Sequence, residues 1–193
     1  TNTCILHLKD TTANKGGDFS SVMAEVLPGF LLKDQYEAAI LKDSDVCEAL
    51  VREILGLVET HAAAETKILI CRCKADPGMP LFAQSDKAGE EILDLQETFR
   101  TRLNTILKQK NLVWKILAAY IPETLVKLMG KKRITNILNT DAMQEYRDAI
   151  ITKKLAATAF YRFGLEWEDF TARLEKDFSG TVADLVGPHT SSR

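Results

Sequence analysis

The 193-residue sequence predicts a mainly α fold, a helical bundle-like domain led by a single strand. Three observations carry that prediction. Gly (10) and Pro (5) are both scarce, which disfavours a turn-rich sheet. From Ser44 onward apolar residues recur at three- and four-residue steps, the period of a helix with one buried face. Only one short run, Cys4-Ile5-Leu6-His7-Leu8, is alternating and partly β-branched, and it reads as a strand.

The elements follow in chain order. Residues 10–18, Asp-Thr-Thr-Ala-Asn-Lys-Gly-Gly-Asp, form the most loop-like segment, since each of these residue types except Ala and Lys favours turns. A short helix is expected from Phe19 to Leu27, stopped by Pro28-Gly29. Ser44 is placed to cap a long helix reaching about residue 74. Asp45 and Glu48 in its first turn oppose the positive end of the dipole. Asp76-Pro77-Gly78 ends it. Ser85 is the expected cap of the next helix, whose face carries Ile92, Leu95, Phe99, Leu103, Ile106 and Leu107. Leu112 to Tyr120 is a further apolar stripe, and Pro122 sits where a first-turn proline is tolerated, with Gly130 closing that turn pattern. Asp141 opens a last long helix through Phe163, closed by Gly164, and Glu166 to Phe178 makes a shorter one. The tail after Gly180 holds few anchors and is expected to be mobile. A lone strand leaves its edges unpaired, so the 4–8 segment calls for strands supplied from elsewhere.

Composition excludes several function classes. A 46% apolar and 27% charged chain is an ordinary globular one. A net charge of −2 and a pI near 6.0 argue against nucleic acid as the main partner. No apolar run approaches the ~20 residues of a membrane span, so no membrane partner is expected. Four cysteines are too few for a disulfide framework, which favours a reducing compartment, cytoplasm or mitochondrial matrix. The chain starts at Thr1 rather than Met, as a piece of a longer protein would.

Most candidate sites read as structure. Cys71-Arg72-Cys73 lacks a second ligand pair, and His7, His61 and His189 are isolated from it, so no metal site is expected. His61, beside Ala62-Ala63-Ala64, reads as a partly buried structural residue. Lys131-Lys132-Arg133 reads as a solvated helix end. Trp114, Trp167, Tyr120, Tyr146, Phe160 and Phe163 fall in apolar stripes and read as core. The Lys9–Ser21 segment differs. A strand ending in Lys-Asp, then Ala13-Asn14-Lys15-Gly16-Gly17, then Ser20-Ser21 opening a helix, is a strand–turn–helix unit whose bare amides attract anions. A plain connector is the other reading.

That segment, Lys9-Asp10-Thr11-Thr12-Ala13-Asn14-Lys15-Gly16-Gly17-Asp18-Phe19-Ser20-Ser21, resembles the Lys-Asp-x-x-Ala-Asn-Lys-Gly motif of the large NAD-specific glutamate dehydrogenases. The resemblance extends diffusely over residues 5–175. It takes in Ala62-Ala63-Ala64-Glu65, Ile121-Pro122-Glu123-Thr124-Leu125 and Tyr146-Arg147-Asp148-Ala149-Ile150. It implies that residues 1–30 are the last strand, loop and helix of an α/β, Rossmann-like catalytic core. Residues 31–180 would then be a helical C-terminal domain and 181–193 a flexible tail. It implies substrate binding by Ser21 and cofactor binding by Asn14, Gly16 and Gly17, with NAD as cofactor and glutamate or 2-oxoglutarate as substrate. Asp18 departs from the family, which has a small apolar residue there. The catalytic lysine and aspartate and the dinucleotide turn belong to upstream parts of the family. The chain has no G-x-G-x-x-G, so no catalytic residue is assigned within it and it is not expected to catalyse alone. The remainder of the core and further copies of the chain are the implied partners. Two other readings stand beside this one: a free-standing helical interaction module, and an unrelated enzyme using the Asn14–Ser21 loop as a phosphate cradle.

Overall fold

The computed structural model describes residues 15–187. Among them there is no strand, and eleven α-helices joined by short 3-10 and π turns make up the fold. The expected strand at 4–8 and most of the expected loop, residues 10–14, lie outside the described residues.

The N-terminal helices run on where a stop was expected. Helix α1 (Lys15–Ser21) passes through a π turn (Val22–Val26) into α2 (Leu27–Leu32). Pro28 does not end the helix; it occupies the first turn of α2, where its missing N–H costs nothing. The break comes at Lys33, whose φ of 51° lies in the left-handed region. Met23, Leu27, Leu31 and Leu32 share one buried cluster with the later helices, so the core runs unbroken across the expected boundary at residue 30.

Helix α3 (Ser44–Ala75) is the longest element, at 32 residues. Its cap is Asp43, which accepts from the Val46 amide at 3.2 Å, rather than the expected Ser44. It ends where predicted, at Asp76-Pro77-Gly78. Helix α4 (Leu81–Thr101) starts four residues before its expected cap, and Ser85 is buried inside it. Pro80, extended at φ −68° and ψ 157°, sets that start, and burial of Leu81 draws the first turn into the core.

Helices α5 (Leu103–Leu107), α6 (Lys110–Tyr120) and α7 (Glu123–Met129) follow. The N-cap of α7 is Pro122, which has no side-chain acceptor. Glu53 of α3 serves instead, accepting from the Glu123 amide and, at 3.0 Å each, from the amide and hydroxyl of Thr124. Gly130, at φ 75°, closes α7 as predicted. Helix α8 (Lys131–Leu138) begins at the very next residue. Lys131-Lys132-Arg133 therefore opens a helix instead of trailing one, and the dipole opposes it.

Helix α9 (Gln144–Phe163) is the central element. It buries Ile150, Ile151, Leu155, Ala156, Ala159 and Phe160 against α3, α4 and α6. A smaller cluster of Ile68, Leu69, Leu81, Ala88 and Phe160 fills the far end of α3 and α4. Arg72 ties that end together. It donates to the Gly164 carbonyl from Nε (3.0 Å) and Nη2 (2.7 Å), pairs with Glu91 at 2.7 Å, and lies over the Phe160 ring.

Helices α10 (Trp167–Lys176) and α11 (Phe178–Val186) complete the chain. The segment expected to be a mobile tail is thus helical to Val186. Asp177 caps α11 by accepting from Gly180 at 2.9 Å, and Phe178, Val182 and Leu185 are buried in the main core. Arg162 of α9 donates to the carbonyls of Asp184 and Leu185 at the other end.

Candidate functional site

Three of the four predicted site residues fall on one short helix. Gly16, Gly17 and Ser21 belong to α1, and Asn14 lies outside the described residues. The spacing of Gly17 and Ser21, four residues apart, sets them on one face of α1. This differs from the expected open turn. Ser20 and Ser21 stand at the end of α1, and the backbone continues into the π turn, so their amides are inside a helix rather than bare at its start.

Two adjacent glycines weaken a helix, by about 0.5–1 kcal/mol each relative to alanine. The compensating anchor is Phe19. Its half-buried ring meets His61 of α3 edge-on, with centroids 5.4 Å apart. His61 in turn stacks on Tyr161 of α9 at 4.9 Å and 20°. A ladder of three rings therefore ties α1 to α3 and α9. Ser20 Oγ donates back to the Gly17 carbonyl at 2.9 Å. Ser21 is exposed, and its Oγ reaches Glu25 Oε2 at 3.5 Å, the outer limit of a hydrogen bond.

His61 and Tyr161 of the ladder belong, with Glu65 and Lys154, to a group of titratable side chains of which the sequence marks only His61, as a structural residue. Burial lowers the His61 imidazole, Lys154 adds to that, and Glu65 partly opposes it. Burial also lowers the Lys154 ammonium. Tyr161 is pushed up to about 12 by burial and then by Glu65, itself a buried carboxylate. The signal for this group is present in the sequence only as spacing. His61 and Glu65 are one turn apart on α3, and Lys154 and Tyr161 two turns apart on α9.

No family model, curated protein or solved structure matches the chain. Chemistry at α1 is therefore argued from geometry and from the residues themselves. The exposed Ser21 hydroxyl can donate to a ligand carboxylate once it leaves Glu25. Backbone at Gly17, exposed and without Cβ, permits close approach. Among the described residues, no group of three or more His, Cys, Asp or Glu is arranged to hold a metal ion. None of their helices is long and apolar enough to cross a membrane. Cys71 and Cys73 are half-buried on α3, Cys73 against the smaller apolar cluster.

Proposed function

We propose that this chain is the C-terminal part of an NAD-dependent glutamate dehydrogenase, in which a helical domain supports a ligand-positioning segment. The observation that carries the reading is the Lys9–Ser21 motif, whose final third is anchored by the Phe19–His61–Tyr161 ladder with Ser21 left exposed. In the complete enzyme NAD would supply the hydride acceptor for oxidation of glutamate at its α-carbon, with 2-oxoglutarate and ammonia as the products of deamination. The part played by this chain is positional. Ser21 would donate to a substrate carboxylate, Asn14 would serve the nicotinamide end of NAD, and Gly16 and Gly17 would let the backbone come close to the cofactor. The remainder of the catalytic core supplies the reacting lysine and aspartate, and the helical body offers surface for assembly into a homo-oligomer.

Glu25 adds a condition. A substrate carboxylate and Glu25 compete for the Ser21 hydroxyl, and the two negative charges repel.

The test uses protein translated from the complete reading frame, with glutamate-dependent NADH formation as readout. Ser21→Ala is expected to raise KM for glutamate about tenfold with little change in kcat, the mark of a lost binding contact. Glu25→Gln is expected to lower KM. An unchanged KM in Ser21→Ala overturns the role of Ser21, and absence of any glutamate-dependent NADH overturns the family reading.

A further inference from the structure

A second feature lies away from α1. Helices α6 and α8, with the start of α9, line an open-mouthed cavity of about 460 Å3, within the size range of small-molecule sites. One wall is the indole of Trp114, with the Lys131 ammonium held 5.2 Å from its ring centroid. Lys110 and Arg147 bring the cations in the lining to three, and no carboxylate is among the lining residues. Leu117 and Leu138 add apolar surface.

Two of these three cations are uncompensated among the described residues. Arg147 is braced: Nη1 donates to Asn139 Oδ1 at 2.5 Å, and Nη2 lies 2.7 Å from Asp148 Oδ1. Lys110 and Lys131 are both exposed, and neither has an ion-pair partner among the described residues. Each also stands at the first position of its helix. The N-caps of α6 and α8, Gln109 and Gly130, make no side-chain cap, and neither first turn holds an acidic residue. Positive side chains at the positive end of a helix are unfavourable, by roughly 0.3–1 kcal/mol each, and a bound anion offsets that.

We propose that this cavity binds a small organic anion whose flat, apolar body lies against Trp114 and whose carboxylate or phosphate meets Lys110, Lys131 and Arg147. The aromatic wall selects the body, and the two uncapped helix starts with their lysines select the charge. Size follows from the cavity: it takes a single-ring or two-ring compound, not a polymer. The proposal is independent of the role given to Ser21, which lies on a different helix.

Phenyl phosphate combines both features and is the probe. Titration calorimetry on the full chain is expected to show it binding at least tenfold more tightly than inorganic phosphate or phenol. Lys110→Gln with Lys131→Gln, both at exposed positions, is expected to weaken it at least tenfold and to flatten its salt dependence. Ser21→Ala is expected to leave it unchanged. Equal binding of inorganic phosphate would reduce the site to a bare cationic patch, and equal binding of phenol to an apolar groove. Either result overturns the proposal, as does undiminished binding by the double variant or no binding at all.

Discussion

His61 joins α1 to α9 through its contacts with the Phe19 and Tyr161 rings, and its charge state decides how well it does so. Its imidazole is held below the ordinary value of 6.5 by burial and by Lys154. The unfolded chain therefore takes up the proton first as pH falls. Stability from this residue is complete above pH 6.5 and is lost as pH drops toward the lowered native value. The melting temperature is expected to fall as pH goes from 7 toward 5, with a shallower slope in His61→Phe, which keeps a ring beside Phe19 and Tyr161. An equal slope in both proteins would remove His61 as the cause. Tyr161 works in the other direction. Its native value of about 12 lies above the ordinary 10, so its contribution is intact below pH 10 and fades as pH rises toward 12. Neither residue was legible as part of a site. Phe19, His61 and Tyr161 come from three distant elements, and no local pattern announces that their rings will meet.

Helix interiors are where the sequence spoke most clearly. The periodicity from Ser44 to about residue 74, the stop at Asp76-Pro77-Gly78 and the closures at Gly130 and Gly164 are all local signals, and all appear in the structure. Starts and caps were less legible because distant partners set them. Glu53 caps α7 from the first third of α3, and burial of Leu81 starts α4 ahead of Ser85. Two glycines show how far local rules reach. A Cβ added at Gly56, inside α3, meets nothing within 4 Å, so Gly56→Ala is expected to stabilise the protein by about 1 kcal/mol through helix propensity. At Gly164 the same atom would lie 2.6 Å from the Phe160 carbonyl and 3.0 Å from Ile68 Cδ1. Gly164→Ala is expected to cost about 1–3 kcal/mol, since backbone and core must both shift. Urea unfolding of the two variants checks the opposite signs. The cavity beside Trp114 was invisible for a related reason. Lys131 reads as a helix end in sequence, and only the abrupt Gly130 turn makes it a helix start.

At the scale of the whole molecule, the C-terminal helix closes the core that the earlier helices build. Ending the chain after Lys176 removes Phe178, Val182 and Leu185, each buried. At about 1.5–3 kcal/mol per side chain, that loss approaches the total stability of a typical domain. The truncated protein is expected to lose cooperative thermal unfolding and to bind a hydrophobic dye, whereas ending the chain at Gly187 should change neither. Cooperative unfolding and no dye binding in the chain ended after Lys176 would show that α11 is dispensable. A connection at the C-terminal end of α9 bears on how the protein is made. Arg72 finds its backbone acceptor at Gly164, 92 residues further along. During synthesis at ~5–20 residues per second, its guanidinium waits roughly 5–18 s for that carbonyl to exist. Throughout that interval the nascent α3 carries a cation whose final seat has not been translated, so the joint at Gly164 is among the last to lock.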